Sequence, residues 1–154
     1  MLKAHLPVAA GLLAWASLFM PWWHITGLGP EIGITPFFML RLALSGQVAT
    51  GIIELSEGFS GLVQLSFFLV VIGGAAGVLR RFIRSRAVVF LAGFFMLSVL
   101  NILTYAFVYI KVAGSVLCLT PSIYGAPLGW GLEYGFAAAA LSGVIIILSA
   151  FYEQ

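Results

Sequence analysis

Residues 60–110 read SGLVQLSFFLVVIGGAAGVL, RRFIRSR, AVVFLAGFFMLSVLNILTYAFVYI: twenty residues without a charge, seven that include four arginines, and twenty-four more without a charge. A helix rises about 1.5 Å per residue and needs roughly 20 apolar residues to cross the hydrocarbon of a bilayer, so both apolar runs qualify as spans. The short basic link between them makes the pair an antiparallel hairpin. Two further runs have the same character. They are Leu6 to Trp23 near the start, with one His just outside each end, and Tyr134 to Tyr152 near the finish.

Composition agrees with four spans. Apolar residues make up 62% of the 154-residue chain and charged residues 8%, with no aspartate, where a soluble domain carries roughly 25% charged residues. The expected fold is all-α: four transmembrane helices over residues 6–23, 60–79, 87–110 and 134–152, packed as one antiparallel bundle and one domain. Outer loops cover 24–59 and 111–133, and the inner link covers 80–86.

The basic residues set an orientation. Lys3, Arg80, Arg81, Arg84 and Arg86 fall on one side of a four-crossing chain, and only Arg41 and Lys111 on the other. By the positive-inside rule, both termini and the arginine link lie in the cytoplasm and the protein in the plasma membrane. Glu31, Glu54, Glu57 and Glu133 then face outward. The net charge of +2 is therefore a segregation of charge and gives no nucleic-acid surface. The first span is alternatively a cleavable signal segment, with Ala14-Trp15-Ala16 as the small-x-small site. Apolar character that continues through Pro21-Trp22-Trp23 favours a retained span ending in an aromatic belt, and Trp130 is the matching anchor before the last span.

Helices in lipid associate by close packing, so small residues mark their contact faces. Gly73 and Gly77 stand four apart in the second span, and Gly135, Ala139 and Gly143 repeat that spacing in the fourth. These faces serve either the bundle itself or a seam between copies. In the first outer loop, Phe38 to Ser45 alternates with a period of two and Gln47 to Leu55 is rich in β-branched residues, with Ser45-Gly46 as a turn. A small extracellular β-hairpin is the expectation and a short surface helix over Phe37 to Leu44 the alternative. Prolines and glycines break residues 111–131, which read as irregular and packed on the first loop.

A first span ending in Trp22-Trp23, a long strand-forming first outer loop, a very short basic inner link and a last span rich in small residues together resemble the claudin-like four-span architecture. They also resemble small prokaryotic four-span membrane proteins. The resemblance implies this topology and an outer β-structure. The claudin Gly-Leu-Trp and its two loop cysteines have no counterpart, the one cysteine being Cys118.

The chemistry open to the chain is narrow. One cysteine cannot form and pass a disulfide within the chain. The two histidines, His5 and His24, are separated by roughly 28 Å along a helix and cannot share an ion. No acidic or basic residue lies in the middle third of a span, where proton-coupled carriers hold one. No cofactor is expected. One mild polar constellation stands out: Asn101 and Tyr105 in the third span, Gln64 in the second and Glu133 at the mouth of the fourth. It reads either as a site for an amphipathic ligand or as interhelical hydrogen bonding of about 1 kcal/mol or less per contact. The expected function is non-catalytic: a structural or accessory subunit whose partners are the bilayer, copies of itself or other membrane subunits. The alternatives are a small carrier or channel, and a lipid- or quinone-binding enzyme.

Overall fold

A computed structural model of the chain describes residues 2–26, 32–44, 53–54, 57–107, 111–112, 115–116, 122–123, 126–127 and 129–151. Four apolar helices pack side by side: α1 (Leu2–Ser17), α3 (Glu57–Val78), α4 (Arg86–Phe107) and α5 (Tyr134–Ser149), with a shorter α2 (Pro36–Leu44) against α3. Each of α1 and α4 lies between α3 and α5. The two central helices are 22 residues long, whereas α1 and α5 have 16 each. By length and composition α3 and α4 are able to cross a membrane, and α1 and α5 are apolar but shorter.

Side-chain volume decides which way each helix faces. Ala10, Gly11 and Ala14 of α1, Gly73, Gly74, Ala76 and Gly77 of α3, and Gly135, Ala139, Ser142 and Gly143 of α5 point inward. Large residues point out, among them Leu12, Leu65, Phe68, Ile72, Leu91, Phe94, Phe95, Leu141 and Leu148. Helices faced with Gly and Ala approach closely enough for backbone to touch backbone. Buried serines remain satisfied because their hydroxyls donate to carbonyls of their own helix, as Ser66 does to Leu62 and Ser142 to Ala138, both at 2.7 Å.

The first helix ends earlier than its apolar run. After Ser17 the backbone tightens, with Leu18, Phe19 and Met20 each bonding three residues back, and Pro21 cannot continue a helix. The Trp22 indole then donates to the Ser17 carbonyl at 2.8 Å and closes the helix end. Trp22 and Trp23, expected as interfacial anchors, are instead fully buried. Trp22 meets Phe136 of α5 edge-on at 5.9 Å, so the pair plugs the end of the bundle away from the arginine link.

The strands are β1 (Trp23–Thr26), β2 (Ile32–Ile34), β3 (Ile53–Glu54), β4 (Lys111–Val112), β5 (Ser115–Val116), β6 (Ser122–Ile123), β7 (Ala126–Pro127) and β8 (Gly129–Leu132). A three-stranded antiparallel sheet in the order β2-β1-β8 joins the segment between α1 and α3 to the segment between α4 and α5. A second sheet, β3-β4-β5, does the same and sets Glu54 opposite Lys111. The expected hairpin over residues 38–55 is corrected: its first arm is α2, and residues 45–52 lie outside the described residues. The reason is local. Thr35 caps the helix, its hydroxyl accepting from the Phe38 N–H at 3.1 Å, and Pro36 has the dihedral that a first helical residue needs. Met39 and Leu40 are buried while Phe37, Phe38 and Arg41 are exposed, the periodicity of a surface helix.

The arginine link divides into two kinds. Arg81, Arg84 and Arg86 are exposed, but Arg80 is buried. Its Nε donates to the Ser149 carbonyl at 3.1 Å and an Nη to the Ile83 carbonyl at 3.0 Å.

Candidate functional site

Strand alternation places a polar contact at the end of the bundle away from the arginine link. Along β1, Trp23 turns into the core and His24 to the opposite face. The register sets Gly33 of β2 and Gly131 of β8 on either side of His24. A Cβ on Gly131 would come within 2.6 Å of the imidazole Cε1 and 2.8 Å of Nε2, so the ring lies against bare backbone. Glycine makes that room.

Glu133 follows β8 directly and is the N-cap residue of α5, yet its side chain makes no capping bond. Its N–H donates to the Trp22 carbonyl at 2.8 Å. Its carboxylate lies 2.6 Å from His24 Nδ1, with 27% of the His24 side chain and 24% of the Glu133 side chain exposed. This is a charge-assisted contact when the imidazole is protonated, and a carboxylate beside Nδ1 fixes the ring's orientation. The contact ties β1, which follows α1, to the start of α5. A double-mutant cycle with His24→Gln and Glu133→Gln, read by thermal unfolding in detergent, is expected to give a coupling of about 1 kcal/mol, the upper range for a pair open to solvent. A coupling of zero would reduce the pair to a passive neighbour contact.

Arg80 bonding to Ser149 brings the C-terminal ends of α3 and α5 to about one level, and heights follow by counting residues from there. At 1.5 Å per residue, Glu133 lies about 24 Å above that level, Gln64 about 24 Å, and Asn101, counted from Arg86, about 22 Å. The expected polar residues therefore share a level. They do not share a site among the described residues: Asn101 is exposed on α4, Gln64 is half-buried on α3 and the Glu133 carboxylate is engaged with His24. The side chain of Tyr105 and that of Trp130 lie outside the described residues. The pairing of His24 with Glu133 was not legible in the sequence, because the two stand 109 positions apart.

The small residues lie against other helices of the same chain. Gly73 faces Met96, Gly77 faces the Pro7 carbonyl and Gly11, Gly135 faces Met20 and the Pro21 carbonyl, and Gly143 faces Leu97. Ala139 is fully buried. Two residues that spacing did not single out sit at the tightest crossing. They are Gly11, against the Gly74 carbonyl and Val78, and Trp15, whose indole covers Gly74 and donates to the Val71 carbonyl at 3.0 Å.

Among the described residues no group of three or more His, Cys, Asp or Glu side chains is placed to hold a metal ion. The chain matches no protein-family model, and comparisons with curated proteins and with solved structures find no match.

Proposed function

We propose that the chain is an integral plasma-membrane protein whose four apolar helices α1, α3, α4 and α5 cross the bilayer as one antiparallel bundle with both termini cytoplasmic. We further propose that it acts without catalysis, as a structural or accessory subunit docking on copies of itself or on a larger membrane complex. The observation that carries the first part is the apolar outward surface: large apolar residues cover the outward faces of α1, α3, α4 and α5, while small residues of α1, α3 and α5 lie at the helix crossings. In water such a surface would aggregate. In lipid it is matched to its solvent, and close small-residue packing holds the helices together. The exposed Arg81, Arg84 and Arg86 at the α3–α4 link support the cytoplasmic placement of that end. The claudin-like arrangement belongs to the same proposal, supported by a sheet that draws β1 and β2 from the first outer segment and β8 from the second.

The interaction role is favoured over a carrier by the fate of the polar groups. A path through the bundle needs them inside, whereas Asn101 faces out, the Glu133 carboxylate is taken by His24 and the described core serines bond to their own helices. Extraction from native membranes in a mild detergent followed by native mass spectrometry is the test. A stoichiometric partner or a defined homo-oligomer is expected. A monomer that retains one small molecule, with transport in sealed vesicles lost on Asn101→Leu or Glu133→Gln, would replace this reading with the carrier.

A further inference from the structure

The packing of α2 against α3 and against the residues just after α1 sets how far this helix lies from the arginine link. The helix is anchored at its start by the Phe37 N–H, which donates to the Leu18 carbonyl at 3.4 Å. The Phe37 ring stacks on Phe19 at 5.7 Å and meets Phe67 of α3 at 6.4 Å. Phe67 lies thirteen residues before Arg80, so the start of α2 is about 20 Å above the arginine level, and α3 climbs about 15 Å further to Glu57.

Bilayer thickness turns that height into a depth. The hydrocarbon core is about 30 Å thick, and the partly exposed His24–Glu133 pair, about 24 Å above the arginine level, marks its outer boundary. Phe37 therefore lies roughly 4 Å below that boundary, and the arginine link sits about 6 Å inside the inner one, within the reach of long side chains. Raising the outer boundary only buries α2 deeper. Lowering it until α2 rode on the surface would draw Arg81, Arg84 and Arg86, all exposed, by the same distance further into hydrocarbon, where charge is costly. The arginines at one end and the His24–Glu133 pair at the other therefore fix the depth of α2 together.

The exposed side of α2 suits such a place. Phe37 and Phe38 remain about half exposed, beside the more exposed Phe19 and Phe68, and this aromatic surface runs into the apolar outward face of α3 at Leu65 and Ile72. Arg41, exposed in the last turn, has a stem long enough to lie along apolar surface while its head reaches phosphate oxygens. We propose that α2 is an in-plane element of the outer leaflet, with Phe19, Phe37, Phe38 and Phe68 forming one surface for the acyl chains of phospholipids. The proposal rests on the membrane-spanning reading above and adds to it that the short α1 leaves a notch in the outer leaflet which α2 fills.

Nitroxide labels on single cysteines in a Cys118→Ser background test it, with the full chain in phosphatidylcholine and phosphatidylglycerol vesicles. Labels replace Phe38, the outward-facing Leu141 about 12 Å above the arginine level, and Ser85 in the link. Collisions with oxygen and with a water-soluble nickel chelate are measured by power saturation. The expected result is loss of nickel collisions and gain of oxygen collisions at both 38 and 141, with 85, whose neighbours Arg84 and Arg86 keep water at the link, behaving as a site in water. Nickel collisions at 38 equal to those at 85, while 141 stays dry, would overturn this proposal and leave the spanning bundle intact. Nickel collisions at 141 would overturn the spanning reading and this proposal with it.

Discussion

Replacing Gly11 by alanine is expected to remove most of the stably folded protein. A Cβ at this position would run into the Gly74 carbonyl and come within 2.7 Å of the Val78 nitrogen and 2.9 Å of its Cγ2. Two of those three obstacles are backbone and have no rotamer to escape into. The helices must separate, and separation weakens the whole α1–α3 seam, including the Trp15 bond to Val71 and the Gly77 contacts with Pro7 and Gly11. Overpacking costs about 1–3 kcal/mol, and a backbone wall places this case at the upper end. Packing also carries more of the association energy in lipid than in water, since no hydrophobic force pushes apolar helices together there. The comparison that isolates the effect is Gly61→Ala, on the same α3 where a Cβ would meet nothing within 4 Å. That change is expected to be neutral or to stabilise by up to about 1 kcal/mol through helix propensity. Gly73→Ala should fall between them, because its obstacle, Met96 Sδ at 2.7 Å, ends a flexible side chain. Heating in detergent with fluorescence-detected size exclusion ranks the three. Equal midpoints for the alanines at 11 and 61 would mean that α1 and α3 do not cross this closely.

Whether a feature could be read from the chain depended on how far apart its parts stand. Apolar runs starting at 60 and 87 are local signals, and they became α3 and α4 within a few residues at each end. The outer segments were harder. Phe38 to Leu44 alternates in a way that satisfies a strand, and what decides for a helix is the two-residue cue just before it, the Thr35 cap and Pro36. That cue was present in the sequence and was outweighed by the period. Trp22 and Trp23 carried the composition of a membrane belt, but aromatic type alone does not separate a residue at an interface from one that plugs a bundle. The difference is made by Phe136 and the Ser17 carbonyl. The His24–Glu133 contact and the pairing of β1 with β8 are long-range facts, created by a register that no local pattern encodes.

Arg80 gives the second large expected effect, and it separates two roles that the link had merged. Counting charges treats its four arginines alike, as determinants of which side stays inside. The fold does not, because only Arg80 among them is buried. Its Nε and an Nη hold the Ser149 and Ile83 carbonyls, so a group at the end of α3 satisfies the end of α5 and the turn into α4 at once. The Ala150 and Phe151 N–H groups satisfy the Ile147 and Leu148 carbonyls, and the Ser149 carbonyl beyond them lies at the negative end of the α5 dipole, which makes a cation the appropriate cap. Arg80→Ala deletes two charge-assisted bonds and leaves their acceptors short of donors in a closed site, at an expected cost of about 3 kcal/mol. Arg80→Lys should recover little, since an ammonium cannot reproduce two donors in a rigid fork. Arg81→Ala, at an exposed position, should change stability by no more than about 0.5 kcal/mol. Orientation should respond the other way: with Arg81, Arg84 and Arg86 still present, a cysteine at Ser85 in the Arg80→Ala protein should react on the same side of the membrane as before. Wild-type stability in Arg80→Ala, or a reversed label at 85 after that single change, would return Arg80 to the charge count and remove its place as the strut between α3 and α5.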